Sequence, residues 1–305
     1  MKNSSIHPLQ VQSLSKSYGL VQAVDQVSFD VQPGEIFGLL GPNGAGKTSI
    51  ISTIVTLEKP TKGEIRVFGH PVSESPRVAK SLVGWVPQEV INHGFFNVEE
   101  ILEFHSGYFG KRMTEREKEN LLKRLDLYSH RHKKVKQLSG GMKRRLMIAK
   151  ALCHNPNLLL LDEPTAGVDI DLRKSLWDFV VELKSQGVAV LLTTHYLEEA
   201  EALCDRVGFI SQGRLLKVGK TTEIVQNLTE KTIELTLDKE IEPLKSPYVS
   251  LQSGRTVTLK VPMDKGVFEG VRMAGIDPQL IQDVKVKEGD LEDAFRRIMK
   301  EGESV

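Results

Sequence analysis

Apolar positions along the chain fall into two patterns, and the switch between them divides it near residue 226. Before that point, short unbroken apolar runs alternate with stretches of helical spacing. The segments from Glu35 to Leu40, Val83 to Val86, Leu158 to Leu161 and Val188 to Thr193 read as buried strands. Strands apolar on both faces are those of a parallel sheet covered by helices. Helices are expected from Ser49 to Leu57, from Val98 to Leu127 around a charged insert at Lys111 to Lys118, onward from Ser139-Gly140-Gly141, and from about Leu172 to Ser185. Leu9 to Leu14 and Val27 to Val31 read as edge strands, with Glu64 to Phe68 as another short one. The alternation predicts a doubly wound α/β core whose ligands sit at the C-terminal ends of the strands.

Beyond residue 226 the period changes to two. Ile233, Leu235 and Leu237 alternate with polar residues, as do Val257, Leu259 and Val261, and then Val284 and Val286. These are half-exposed strands. A helix is expected from Asp264 to Ala274, and another from Asp290 to Lys300 with Leu291, Ala294, Phe295 and Ile298 on one face. The expectation is a first domain over 1–226, with a helical subdomain at about 97–155, and a small α+β domain over 227–305. No catalytic constellation falls in the second.

Chemistry concentrates at the ends of the apolar runs. Gly41-Pro42-Asn43-Gly44-Ala45-Gly46-Lys47-Thr48 fits the phosphate-loop spacing and lies between a predicted strand and a helix opening at Ser49. Glycines let the backbone approach an anion, and the N–H groups at the helix start face its phosphates. Lys47 is placed to reach the outer phosphates and Thr48 to take one position on Mg²⁺. Asp162-Glu163 ends the Leu158–Leu161 run. Alone it reads as a turn; with a phosphate loop upstream, Asp162 becomes a Mg²⁺ residue and Glu163 the group that polarises an attacking water. Tyr18, in the segment between the edge strands, could stack on a purine ring.

Composition narrows the class. The 305 residues are 40% hydrophobic, and 41 Lys plus Arg against 40 Asp plus Glu give no basic excess that argues for nucleic acid. The basic runs His130 to Lys136 and Lys143-Arg144-Arg145 read as solvated faces. No apolar run approaches the ~18 residues that cross a bilayer, and Met1 to Ser5 lacks a signal-peptide pattern, so a cytosolic location is expected. Cys153 and Cys204 have no metal-like spacing and read as core thiols.

Leu138-Ser139-Gly140-Gly141-Met142, taken with these motifs, resembles the signature of the ATP-binding cassette (ABC) ATPases, over roughly residues 8 to 222. The resemblance implies a P-loop nucleotidase sheet with an antiparallel β edge and a helical subdomain. It implies ATP as the nucleotide, held by Gly41 to Ser49 and stacked on Tyr18. It makes Gln88 the Q-loop glutamine, acting with the catalytic residues and as a Mg²⁺ ligand beside Thr48 and Asp162. Asp169 falls in the D-loop, and His195 becomes the switch histidine, contacting the γ-phosphate or the water. Met142 stands where glutamine is commonest, which leaves the Ser-Gly-Gly anion nest intact. With one phosphate loop and one signature, two copies must pair head to tail, Ser139, Gly140 and Gly141 of each completing the other's ATP site. The tail from Asp290 to Phe295 and the Lys-Arg-Arg helix resemble bacterial drug-resistance-type exporters. The expected function is therefore ATP hydrolysis driving export through a separate membrane permease, from the cytoplasmic face of the inner membrane. An importer subunit, or an ABC ATPase working outside transport, is the alternative.

Overall fold

The computed structural model describes residues 6–89, 94–166 and 170–302, and the chain divides into two compact units, residues 1–218 and 219–305. The division falls eight residues before the expected 226, and each unit carries its own core.

In the first unit, β1 (Leu9–Tyr18) and β2 (Val21–Val31) pair antiparallel. Both run further than the sequence suggests. Ser15 to Tyr18, expected as a connection, continues β1 because Lys16, Ser17 and Tyr18 find partners in Val24, Gln22 and Val21. β3 (Ile36–Leu40) leads through the phosphate loop into α1 (Lys47–Ile54). β4 (Lys62–Val67) and β5 (His70–Pro71) complete an antiparallel sheet of order β2-β1-β4-β5. After α2 (Pro76–Ser81) and β6 (Val83–Val86) the chain enters α3 (Val98–Tyr108), α4 (Glu115–Arg124) and α5 (Gly140–Leu152). The charged insert is not a gap in that block. Thr114 caps α4 inside it, and Lys118, only 3% exposed, sits 2.8 Å from Glu115 and within reach of Glu99 and Glu103 on α3.

β7 (Leu158–Asp162), α6 (Ile170–Ser185), β8 (Ala189–Thr194), α7 (Leu197–Leu203), β9 (Arg206–Ser211) and β10 (Arg214–Lys220) come next. The last three were not read from the sequence. The strands join a six-stranded sheet of order β10-β9-β3-β8-β7-β6, in which β9, β3, β8, β7 and β6 run parallel. β3, β7 and β8 are buried at every position. This is the doubly wound core with its antiparallel edge. Both cysteines are buried thiols in no disulfide, and burial pushes the Cys153 pKa up to about 12.

The second unit opens with α8 (Thr221–Leu228), whose packing neighbour is the final helix. β11 (Glu230–Leu237), β12 (Val249–Ser253), β13 (Thr256–Pro262) and β14 (Ile281–Lys287) make an antiparallel sheet of order β12-β13-β11-β14. Ile233, Leu235, Leu237, Val257, Leu259 and Val261 form its core with α9 (Val267–Ala274), while Val284 and Val286 stay exposed. α10 (Leu291–Gly302) closes the chain.

Candidate nucleotide and catalytic site

The phosphate loop is shaped by contacts that exclude side chains. A Cβ on Gly41 would lie 2.2 Å from the Ile210 carbonyl oxygen, and one on Gly46 would lie 2.4 Å from that of Ala23. Gly44 and Gly46 also adopt φ values of +80° and +105°, which L side chains resist. Pro42, Asn43, Gly44 and Thr48 face outward, whereas Lys47 is 5% exposed. Its ammonium donates to the carbonyls of Gly41 at 2.8 Å and Pro42 at 3.1 Å. Burial pulls the Lys47 pKa below the ordinary lysine value, with Glu163 and Asp162 opposing that shift.

Asp162 is the last residue of β7 and is 2% exposed. Burial raises its pKa, while hydrogen bonds from the Thr193 and Thr48 hydroxyls restrain the rise. Thr48 and Asp162 thus offer two neighbouring oxygen donors that suit one hard cation. Glu163 follows at φ +44°, a left-handed conformation, and its N–H donates to the carbonyl and hydroxyl oxygens of Thr193. The turn aims its carboxylate at three other elements. Gln88 Nε2 donates to Oε2 at 3.2 Å, His195 Nδ1 lies 3.2 Å from the same oxygen, and Lys47 Nζ is 3.8 Å from Oε1.

Lys47, Thr48, Gln88, Asp162, Glu163 and His195, picked from segments well separated in sequence, therefore meet in one cluster. Tyr18 is placed differently. It ends β1 with its ring 43% exposed and the Lys16 ammonium 4.7 Å from its centroid. Ser139 caps α5, accepting from Met142 N–H at 3.3 Å, and Ser139 and Gly140 are exposed at that helix start. Asp169 lies outside the described residues.

The sequence reading missed residues that hold this cluster. Glu199, 5% exposed, accepts from the hydroxyls of Thr165 at 2.8 Å and Thr194 at 3.2 Å, tying the exits of β7 and β8 together. Burial raises its pKa against those bonds and the Arg173 charge. The only hint was a pair of threonines ending an otherwise apolar strand. Arg144, which the sequence places on a solvated basic face, is instead 4% exposed, because its guanidinium finds backbone carbonyls beneath α5.

Comparison with known proteins agrees with this geometry. The pattern of the ABC transporter family matches residues 24–166. The chain is 39% identical over 293 residues to the Nod factor export ATP-binding protein I of Rhizobium etli, covering 93% of this chain and 91% of that one. It is 39% identical over 227 residues to a linearmycin resistance ATP-binding protein of Bacillus subtilis, covering 74% and 73%. Among solved structures, an ATP-binding subunit of an ABC transporter shares 30% identity at a TM-score of 0.67, over 72% of this chain and 92% of that one. A bacterial ABC transporter cassette solved as a dimer has the same fold, with a TM-score of 0.64 at 24% identity over 70% of this chain and 98% of that one. The chain belongs to the ABC transporter family, as its ATP-hydrolysing subunit.

Proposed function

We propose that this ATPase powers export, working as a head-to-tail pair against a separate membrane permease, with Glu163 as the base that activates water. The observation that carries the catalytic part is the meeting of Lys47, Gln88 and His195 at the Glu163 carboxylate. Lys47 at the start of α1 binds the outer phosphates with the loop N–H groups. Thr48 and Asp162, with Gln88, would hold Mg²⁺, which neutralises phosphate charge when bound. Glu163 takes a proton from the attacking water, and His195 orients that water or the γ-phosphate.

Ser139, Gly140 and Gly141 lie at an accessible helix start, and with Asp169 they would close on the ATP held by a second copy, whose adenine stacks on Tyr18. The names of the relatives, Nod factor export and linearmycin resistance, support export over uptake. Among the described residues no helix is long and apolar enough to cross a membrane, and this reading assigns the path for cargo to another chain. We assign that chain a surface on the helical block. Phe95 is 83% exposed, and Phe96, Phe104 and Tyr108 line a groove of about 370 Å³ beside it. An apolar segment of a permease on the cytoplasmic face of the inner membrane would fit there.

Solubilising membranes and purifying the tagged full chain tests the whole reading. An integral membrane protein should co-purify in equal amount, and Mg²⁺-dependent ATP hydrolysis should rise with its cargo. An active ATPase with which no membrane protein co-purifies would be an ABC ATPase that works outside transport.

A further inference from the structure

Arg144 makes a set of bonds that the catalytic reading does not use. Its Nε donates to the Pro164 carbonyl at 2.8 Å; Nη1 donates to Pro87 at 2.7 Å and Gln88 at 3.0 Å; Nη2 donates to Asp162 at 3.3 Å and Glu163 at 2.8 Å. A guanidinium carries five N–H donors in one rigid plane, and here each one has a carbonyl acceptor. Burial lowers the pKa of this side chain, with Asp162 opposing. The five carbonyl dipoles replace the water it gave up, since a charge left without them would be costly to bury.

The acceptors come from two places. Pro87 and Gln88 follow β6, and Asp162 to Pro164 form the turn that leaves β7. The donor sits on α5, the helix that Ser139 caps. One side chain thus joins the segments bearing Gln88, Glu163 and Ser139. It also grips Glu163 where the backbone is least comfortable. A non-glycine residue at φ +44° persists only where its surroundings over-determine it. Thr193 binds the Glu163 N–H from one side, and Arg144 binds its carbonyl from the other.

We propose that Arg144 is a positioning residue for ATP hydrolysis, its guanidinium fixing Glu163 and Gln88 against each other and against the helix that presents Ser139. This rests on Glu163 being the base. Lysine offers three donors from a point charge and glutamine offers two, so neither can hold the five carbonyls in one plane. The nucleotide's own contacts, Lys47 and the glycine loop, are untouched by either change.

The test is steady-state ATP hydrolysis by the full chain carrying Arg144→Lys or Arg144→Gln, each in the wild-type and Glu163→Gln backgrounds. In the wild-type background kcat should fall by up to roughly 100-fold, the scale of a small misplacement of a reacting group, while the KM for ATP stays within about threefold. In the Glu163→Gln background the same changes should alter the residual rate less than about twofold, because the base through which the positioning of Gln88 and the α5 helix acts on the rate is already gone. Equal losses in both backgrounds would overturn the proposal, as would a raised KM at unchanged kcat. Circular dichroism monitors the fold, and Arg144→Lys, which keeps the charge, decides if Arg144→Gln does not fold. Loss of the fold in both would also overturn it, leaving Arg144 a core staple. A Glu163→Gln protein that hydrolyses ATP at the wild-type rate would remove the base assignment itself; an adverse Arg144 result alone would not.

Discussion

His195 Nδ1 and Gln88 Nε2 both lie 3.2 Å from the same oxygen of Glu163, Oε2, while Oε1 faces Lys47 at 3.8 Å. The carboxylate is therefore held by one of its oxygens from two sides. Each carboxylate oxygen has about two lone-pair sites, so with Glu163 as the proposed base Oε1 is the better placed to accept a proton from water. His195→Ala removes one of the two anchors without touching the phosphate loop. The expected result is a fall in kcat of roughly 100-fold, the usual scale for a proton-transfer partner, at nearly unchanged ATP affinity. Stopped-flow ATP binding alongside steady-state turnover separates the two quantities; a loss confined to affinity would place His195 on the nucleotide rather than on Glu163.

How much of this was legible in the sequence depends on where each residue's signal lies. Lys47, Thr48, Asp162 and Glu163 could be placed because short-range spacing and the ends of apolar runs are visible in one dimension. The fully buried strands β3, β7 and β8 announced themselves the same way. Arg144 could not be placed, because three consecutive basic residues look alike until packing turns one inward; Arg145, its neighbour, pairs with exposed Asp126 at 2.7 Å. β12 and the segment from α7 to β10 were missed for a related reason. Their apolar residues are few or interrupted by glycine, and their partners are distant in sequence. The domain boundary slipped because α8 is amphipathic and belongs by packing to the second unit, through α10.

The aromatic groove yields a separable prediction. Phe96 meets Phe104 edge to face at 5.0 Å between ring centroids, but Phe95 is 83% exposed. Neither is a core residue of the helical block. Replacing both by serine should leave circular dichroism and ATP binding of the isolated chain unchanged. Transport in vesicles, and co-purification of the membrane protein, should be lost. A variant that unfolds would show that the pair supports α3 instead.

Acid sensitivity should come partly from the same region. Burial, assisted by the charges of Lys150 and His154, lowers the His105 pKa from 6.5 to about 4. His154, stacked on Phe109 at 3.9 Å, is lowered mainly by burial as well. A folded pKa below the unfolded one means that the unfolded chain binds more protons as pH falls. The stabilisation is complete above about 6.5 and is lost as pH falls toward 4. For His105 the gap corresponds to at most about 3 kcal/mol. Melting temperatures measured from pH 7.5 to 4.5 should fall, and His105→Phe should flatten that fall. An unchanged slope would assign the acid sensitivity to other groups.

Glu163→Gln should accumulate an ATP-bound dimer. The amide keeps the size of the side chain, but it cannot take a proton from water. It also removes a negative charge near the site of the γ-phosphate, which reduces repulsion on closure. Lys47 and Thr48 from one copy, and Ser139, Gly140 and Gly141 from the other, are unaltered. A ligand that bridges two subunits and is no longer consumed must shift the equilibrium toward the pair. Size-exclusion chromatography of Glu163→Gln with Mg²⁺-ATP should therefore show a dimer, and without nucleotide a monomer. Adding Ser139→Arg should reverse the shift, since a long side chain at the exposed cap of α5 fills the place where a phosphate would sit. A Glu163→Gln protein that remains monomeric at saturating ATP would mean that closure requires the membrane partner, and the same chromatography on the co-purified complex would then carry the decision.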